Sequence, residues 1–400
     1  MYKALSLLVL ALVLTIAACN SGTERASVAT SSQNSHQLSA NANPNVAPAQ
    51  PDDPGTLALS GPLNNLITLD PKANFTVDNL RLIPILASDQ FLADNRDLGN
   101  FQTLEQALEG KKVMISERKG SSANGGRSGR SRESNNRILG NQSPSVLNNE
   151  VQAELGYANV FGSDEATVNT LFAANHSNDT VMVMAGEVVK GGKQDRVIAQ
   201  DFLLLPGEEK DISVFCVEHG RWDRSSGNGA GMGDNFAYAK STASWNVRKA
   251  VTLEKEQSAV WDSVAVVTDN NACMTSTGAY TSMEHNKAYQ NQRLKYIEHL
   301  KDLPKANNRT IGVVVISGDQ VLGAELFGKP ELFSSQYQTL LESYVSQAIT
   351  SGKSPTIGSK EAAEYLASKL TLGAPATEET KEEEVQQLLH KGKVVHYATY

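Results

Sequence analysis

Apolar side chains recur along this chain with two different periods, and the period changes partway through. Leu80-Arg81-Leu82-Ile83-Pro84-Ile85-Leu86 reads as a strand, placed near a sheet edge because Pro84 has no N–H to give a ladder. Thr103 and Gln106 form a capping-box start for a short helix. That helix turns Leu104, Ala107 and Leu108 inward and stops at Gly110, after which residues 112–117 extend again. Residues 168–174, 181–189, 196–205 and 210–219 are rich in Val, Ile, Leu and Phe. Turn signals separate them at 175–179, Gly191-Gly192 and Pro206-Gly207. Four strands with short connections predict an antiparallel sheet, because parallel pairs need long crossovers.

Helical spacing then takes over. Val260, Trp261, Val264, Ala265 and Thr268 lie on one helical face, as do Tyr337, Leu340, Leu341, Tyr344, Val345, Ala348 and Ile349. Between them residues 311–317 and 320–327 predict a hairpin around Gly318-Asp319. The tail predicts two further helices, one from Ser359 to Gly373 and one opened by Thr380 and Glu383 and closed at Gly392. Strands first and helices later define the α+β class: an antiparallel β-rich N-terminal half, sheet or sandwich, with helices packed from the C-terminal half. There is no internal repeat.

The longest apolar run, Leu5 to Ala18 behind Lys3, is too short for a bilayer span of about 20 residues but suits a signal peptide, residues 1–18. Its end, Ile16-Ala17-Ala18-Cys19, resembles the lipobox of bacterial lipoproteins. That resemblance implies cleavage before Cys19 and attachment there of a diacylglyceryl group and a further acyl chain such as palmitate. Two or more acyl chains hold a membrane stably where one does so only marginally. Asn20 is not the aspartate that retains such lipoproteins in an inner membrane, so the expected place is the cell envelope, lipid-anchored, at the outer membrane. Residues 19–60 lack any aromatic side chain and read as a disordered tether, with a reach of about 35 Å.

Composition narrows the remaining classes. The chain has 400 residues, a net charge of −8 and three cysteines, which excludes a disulfide-stapled mini-protein and a basic nucleic-acid binder. Residues 117–137 hold six basic and two acidic side chains among Gly, Ser and Asn. With no aromatics interleaved for base stacking, they read as a disordered basic insertion. Cys216 and Cys273 are expected to stay as free thiols.

Most of the unusual chemistry falls within residues 175–222. A two-residue turn at Gly191-Gly192 sets Glu187 opposite Arg196 and puts Glu187, Gln194 and Arg196 on one face. The next strand ends in His219-Gly220-Arg221-Trp222, a base, a cation and an aromatic plate in four residues. Each feature has a plain alternative: a cross-strand ion pair for Glu187 and Arg196, a structural cation–π contact for Arg221 and Trp222, a surface histidine for His219. No metal site is expected, since His176, His219 and Glu218 would meet only through folding. Residues 227–233 are glycine-rich but lack the strand–loop–helix setting and lysine of a phosphate loop.

Residues 186–196, reading G-E-V-V-K-G-G-K-Q-D-R, and residues 216–222, C-V-E-H-G-R-W, resemble the paired motifs of the ARG and rhodanese-phosphatase-superfamily-associated protein domain. Residues 244–248, 257–261, 311–315 and 326–327 extend the resemblance over about 75–350, leaving 355–400 as a helical extension. The family is named for association with ADP-ribosylglycohydrolases and rhodanese-like phosphatases. It implies a role near NAD or ADP-ribose metabolism without fixing a reaction or a cofactor. On that reading Lys193, Arg196 and Arg221 grip phosphate, Gln194 assists, Trp222 stacks a base, and Glu187 or Glu218 is the general base. The competing reading is a non-catalytic structural or docking lipoprotein of the envelope.

Overall fold

Alternating apolar residues build three sheets, and the helices fill the spaces between and behind them. The computed structural model describes residues 57–58, 65–70, 72–73, 75–117, 169–221, 235–240, 242–370 and 385–400, all within the compact unit 53–400. The signal segment with Cys19, nearly all of the tether, the basic insertion beyond Glu117, Trp222 and the glycine loop 227–233 lie outside the described residues.

The chain opens with β1 (Leu57–Ala58), β2 (Ile67–Leu69), β3 (Phe75–Val77), β4 (Leu80–Ala87) and α1 (Asp89–Asp94). Next come β5 (Gln102–Thr103), α2 (Leu104–Glu109), β6 (Val113–Glu117), β7 (Thr170–Asn175) and β8 (Val181–Val183). The middle holds β9 (Val188–Gly191), β10 (Arg196–Ile198), β11 (Phe202–Leu204), β12 (Glu209–Cys216) and β13 (Phe236–Tyr238). Helices α3 (Trp245–Lys249), α4 (Gln257–Asn270) and α5 (Lys287–Leu300) follow. The rest is β14 (Thr310–Ser317), β15 (Gln320–Phe327), α6 (Pro330–Ser351), α7 (Ser359–Lys369), β16 (Val385–His390) and β17 (Lys393–Thr399).

One sheet runs β1-β2-β4-β14-β15-β17-β16, with β3 also paired to β4. A second runs β13-β9-β10-β12-β7-β6 and closes on itself through a bridge between Ser116 and Asn235, making a small antiparallel barrel. The third, β11-β8-β5, contains the one parallel pair among the described residues, β5 with β8. The α+β class therefore holds, with antiparallel strands mostly early and helices mostly late.

Periodicity places the core. Alternation along the barrel strands sends Ile115, Leu171, Val189, Ile198, Val214 and Phe236 to the inside. Val188, Val197, Phe215 and Val217 face outward onto Val247, Val251, Val260 and Val264. The large sheet is covered on both faces: Leu82, Val313, Val315 and Phe327 meet the Tyr337–Val345 face of α6, while Ile83, Ile85 and Val314 meet Ala362 and Leu366 of α7. The Thr103 cap is present, its Oγ1 accepting from Gln106 N at 3.2 Å.

Several expectations fail for identifiable reasons. The tail segment from Val385 forms β16 and β17, not a helix, and β17 pairs with β15, so this part of the chain is an integral edge of the large sheet. Its β-branched residues flank the two-residue turn Lys391-Gly392, and pairing with an open sheet edge outweighs the capping signal. Strand β4 is internal: Pro84 sits between the stretches paired to β2 and β3, so its missing N–H costs no ladder bond there. The runs 181–189 and 196–205 each break in two, and their halves join different sheets.

Candidate functional site

The hairpin that carries the first motif is registered two residues away from expectation. Val189, not Glu187, stands opposite Arg196, because Gly191 is still part of strand β9 and pairs with Phe236. A Cβ on Gly191 would lie 2.4 Å from the Asn235 carbonyl oxygen, so close backbone approach rather than the turn demands glycine there. Glu187 consequently falls in the bend between β8 and β9, fully buried, with Oε2 accepting from Met184 N at 2.7 Å. Burial pushes its carboxyl up to about 8, against the opposing effects of the Met184 N–H and the Tyr238 phenol. The expected Glu187–Arg196 ion pair does not form.

Arg196 is buried opposite Cys216, and its Nη1 donates to the Gln194 carbonyl at 2.8 Å. No carboxylate pairs with it among the described residues, and burial lowers its pKa. Gln194 is buried too, its Nε2 donating to the His219 carbonyl at 3.4 Å. Lys193 N donates to Glu117 Oε1 at 2.6 Å.

Arg221 is the hub of the second motif. Its Nε donates to Glu218 Oε2 at 2.7 Å, Nη2 to Asp195 Oδ1 at 3.0 Å, and Nη1 to the Gly192 carbonyl at 2.9 Å. Thr281 Oγ1 donates to Asp195 Oδ2 at 2.7 Å, and Asp195 N donates to Glu218 Oε2 at 3.3 Å. All three charged side chains are buried, so this guanidinium holds the two motifs together. The arginines assigned to phosphate thus point into protein.

Glu218 has a second property. Both of its hydrogen bonds go to Oε2, and Oε1 has no partner among the described residues. The residue lines a cleft of about 400 Å³, together with Ser282, His285 and Asn286. His219, the next residue, lines a neighbouring cleft of about 390 Å³ beside Trp261. Met274 and Thr275 belong to both clefts. The His219 and Trp261 rings meet edge to face with centroids 4.3 Å apart. Alternation produces this split, turning Glu218 and His219 to opposite sides of the strand end. Among the described residues no three His, Cys, Asp or Glu side chains gather as metal ligands.

Sequence reasoning missed a second polar group altogether. Arg248, Glu325, His396 and Asp201 form a buried chain linking α3, β15, β17 and the β10–β11 bend. Arg248 Nη1 lies 2.5 Å from Glu325 Oε1, Glu325 Oε2 3.3 Å from His396 Nε2, and His396 Nδ1 2.6 Å from Asp201 Oδ2. Ala185 closes the ring, its N–H donating to Asp201 at 2.7 Å and its carbonyl accepting from Arg248 Nε at 3.2 Å. Burial alone would lower the pKa of His396, yet Asp201 and Glu325 raise it to about 9. Burial likewise opposes ionisation of Glu325, but Arg248 and His396 hold it below its ordinary value. The available signal was position: Arg248 ends the motif-like stretch 244–248, and Glu325 precedes the pair 326–327.

An α+β protein with its paired motifs joined at one buried arginine is the class that fold and site define. The ARG and Rhodanese-Phosphatase-superfamily-associated Protein domain matches residues 68–400, and the chain belongs to that family. The match takes in the C-terminal hairpin and so runs past residue 350. No curated protein matches the chain, and no solved structure does.

Proposed function

We propose that this chain is a lipid-anchored envelope protein whose family domain handles a small molecule at the paired clefts beside Glu218 and His219. The observation that carries the reading is Glu218: a buried carboxylate fixed by Arg221 at 2.7 Å, with one oxygen unpartnered, in the wall of a cleft of about 400 Å³. A carboxylate so placed would accept a hydrogen bond, or a proton, from a bound hydroxyl or amine. The family name ties such domains to ARG and rhodanese-phosphatase proteins, which makes NAD- or ADP-ribose-related molecules the first ligands to try. The anchor rests on Cys19 at the end of its lipobox-like run.

The structural or docking alternative is favoured by one observation, the use of Arg221 as an internal staple. Calorimetry on the detergent-solubilised full chain decides between the two readings, with adenosine, AMP, NAD and ADP-ribose as probes. Sub-millimolar binding of any of them, weakened tenfold or more by Glu218→Gln, supports ligand handling; no binding by all four overturns it. For the anchor, Cys19→Ala should move the protein from the detergent to the aqueous phase on phase partition. Unchanged partition would remove the lipid from the proposal.

A further inference from the structure

The chemistry of the two cleft walls narrows the ligand, on the premise that the clefts do hold one. Glu218 lines the first cleft, and Asp262 and Asp269 line the second. No lysine or arginine lines either one among the described residues. The nearest guanidinium in the motif, Arg221, donates to Glu218, Asp195 and the Gly192 carbonyl. A phosphate entering here would meet three carboxylates and, among the described residues, no lysine or arginine in the cleft walls. Such a site selects against anions by repulsion, which is as effective a source of specificity as attraction.

The walls also differ from each other. The second cleft presents the Trp261 ring together with Val264, Ala265 and Met274, an apolar surface for a flat body. The first cleft presents the unpartnered Glu218 oxygen beside Ser282, whose hydroxyl donates to the Cys273 carbonyl and leaves its oxygen as an acceptor, so this wall suits the O–H donors of neighbouring hydroxyls. Met274 and Thr275 line both clefts, which therefore share a wall.

We propose that the ligand is a phosphate-free nucleoside, its base against Trp261 and its sugar hydroxyls on Glu218. This deepens the ligand-handling reading and commits it against ADP-ribose, AMP and NAD as the preferred molecules.

The test is calorimetry on the full chain in detergent, with adenosine, uridine, nicotinamide riboside, ribose, AMP and ADP-ribose. At least one nucleoside should bind tenfold or more tighter than AMP, ADP-ribose and ribose. Glu218→Gln should weaken that nucleoside at least tenfold. Because losing the charge facing Arg221 can unfold the domain, a second variant is needed. Asp262 and Asp269 are exposed on α4, and the double change Asp262→Lys with Asp269→Lys should raise AMP affinity at least fivefold relative to the affinity of the same variant for that nucleoside. If AMP or ADP-ribose binds as tightly as every nucleoside, the nucleoside proposal is wrong and ligand handling survives. If the charge reversal leaves AMP affinity unmoved, the acidic rim is not the discriminator and the proposal also falls. If no probe binds below millimolar, both readings fall together.

Discussion

Arg248 and Glu325 meet inside the protein with Nη1 2.5 Å from Oε1 and both side chains buried. The pair joins the barrel side of the molecule to the large sheet, since Arg248 also donates to Ala185 and Glu325 also meets His396. Removing one partner of a buried ion pair strands the other charge and costs about 3–5 kcal/mol. Arg248→Met should therefore lower unfolding free energy by about that much in urea melts, and adding Glu325→Leu should restore part of the loss. A single substitution with under 1 kcal/mol of effect would mean the pair is dispensable.

One carboxyl and one imidazole make stability fall as pH rises. Burial first, with Asp201 adding to it, lifts Glu187 from an ordinary 4.5 to about 8. His396 rises from 6.5 to about 9 despite its burial. In both cases the folded state holds a proton that the unfolded chain has given up, so unfolding free energy declines with pH. The Glu187 contribution is complete below 4.5 and gone once pH passes about 8; that of His396 is complete below 6.5 and gone past about 9. Urea melts from pH 5 to 9 should show a falling curve, and Glu187→Gln should make it shallower between pH 5 and 8 while leaving the His396 decline above pH 6.5. A Glu187→Gln curve parallel to the parent would show that the carboxyl is not protonated in the fold.

Local structure was legible in the sequence and long-range pairing was not. The α6 stripe from Tyr337 to Ala348, the Thr103 cap and the Gly318-Asp319 hairpin depend on neighbours a few residues apart, and each is where periodicity puts it. The run 385–399 had an equally local pattern, but its state was decided by β15, a strand some seventy residues earlier whose edge it completes. In the motif, the sequence singled out Glu218 and Arg221 but assigned them to a ligand and not to each other. That Arg221 faces Asp195 across 26 residues, while Glu218 opens to a cleft, depends on the register of β9 and β10, which Gly191 shifted. The Arg248 chain spans separations of 71 to 195 residues, so no window along the sequence contains it.

The two motif arginines should separate cleanly by stability. Arg221→Met leaves Asp195 and Glu218 buried without their shared cation, and a loss of about 3–5 kcal/mol follows. Among the described residues Arg196 has no carboxylate partner and a buried Nε without an acceptor, so the fold gains little from its charge. Arg196→Met keeps the volume and removes the cost of burying that charge, and should change stability by less than about 1.5 kcal/mol. Equal losses for the two would show that Arg196 has a charge partner of comparable weight.

Thiol counting tests the proposed acylation of Cys19 against the two buried cysteines. Cys216 and Cys273 are both free and buried, and burial raises the pKa of each. Native protein should resist alkylation over minutes, because the reactive species is the thiolate. After denaturation without reductant, the protein isolated from membranes should take up two labels. Three labels would mean Cys19 carries no lipid, and none would mean Cys216 and Cys273 had bridged.

Gly186 gives the sharpest test of how the first motif is built. Its φ of +91° disfavours any side chain, and a Cβ there would lie 2.3 Å from Cγ of Arg248. Gly207 has a φ of +71° but nothing within 4 Å of the same position. Gly207→Ala therefore isolates the backbone cost of a left-handed residue, about 1–2 kcal/mol. Gly186→Ala adds an overpacking cost of about 1–3 kcal/mol to a similar backbone cost. Trimming the obstacle should remove the added part: in an Arg248→Ala background, the increment for Gly186→Ala should shrink to that for Gly207→Ala. A double-mutant cycle measures this coupling directly. Additive losses would show that the chain at Gly186 shifts away from Arg248 instead of pressing on it, and the motif glycine would then serve backbone conformation alone.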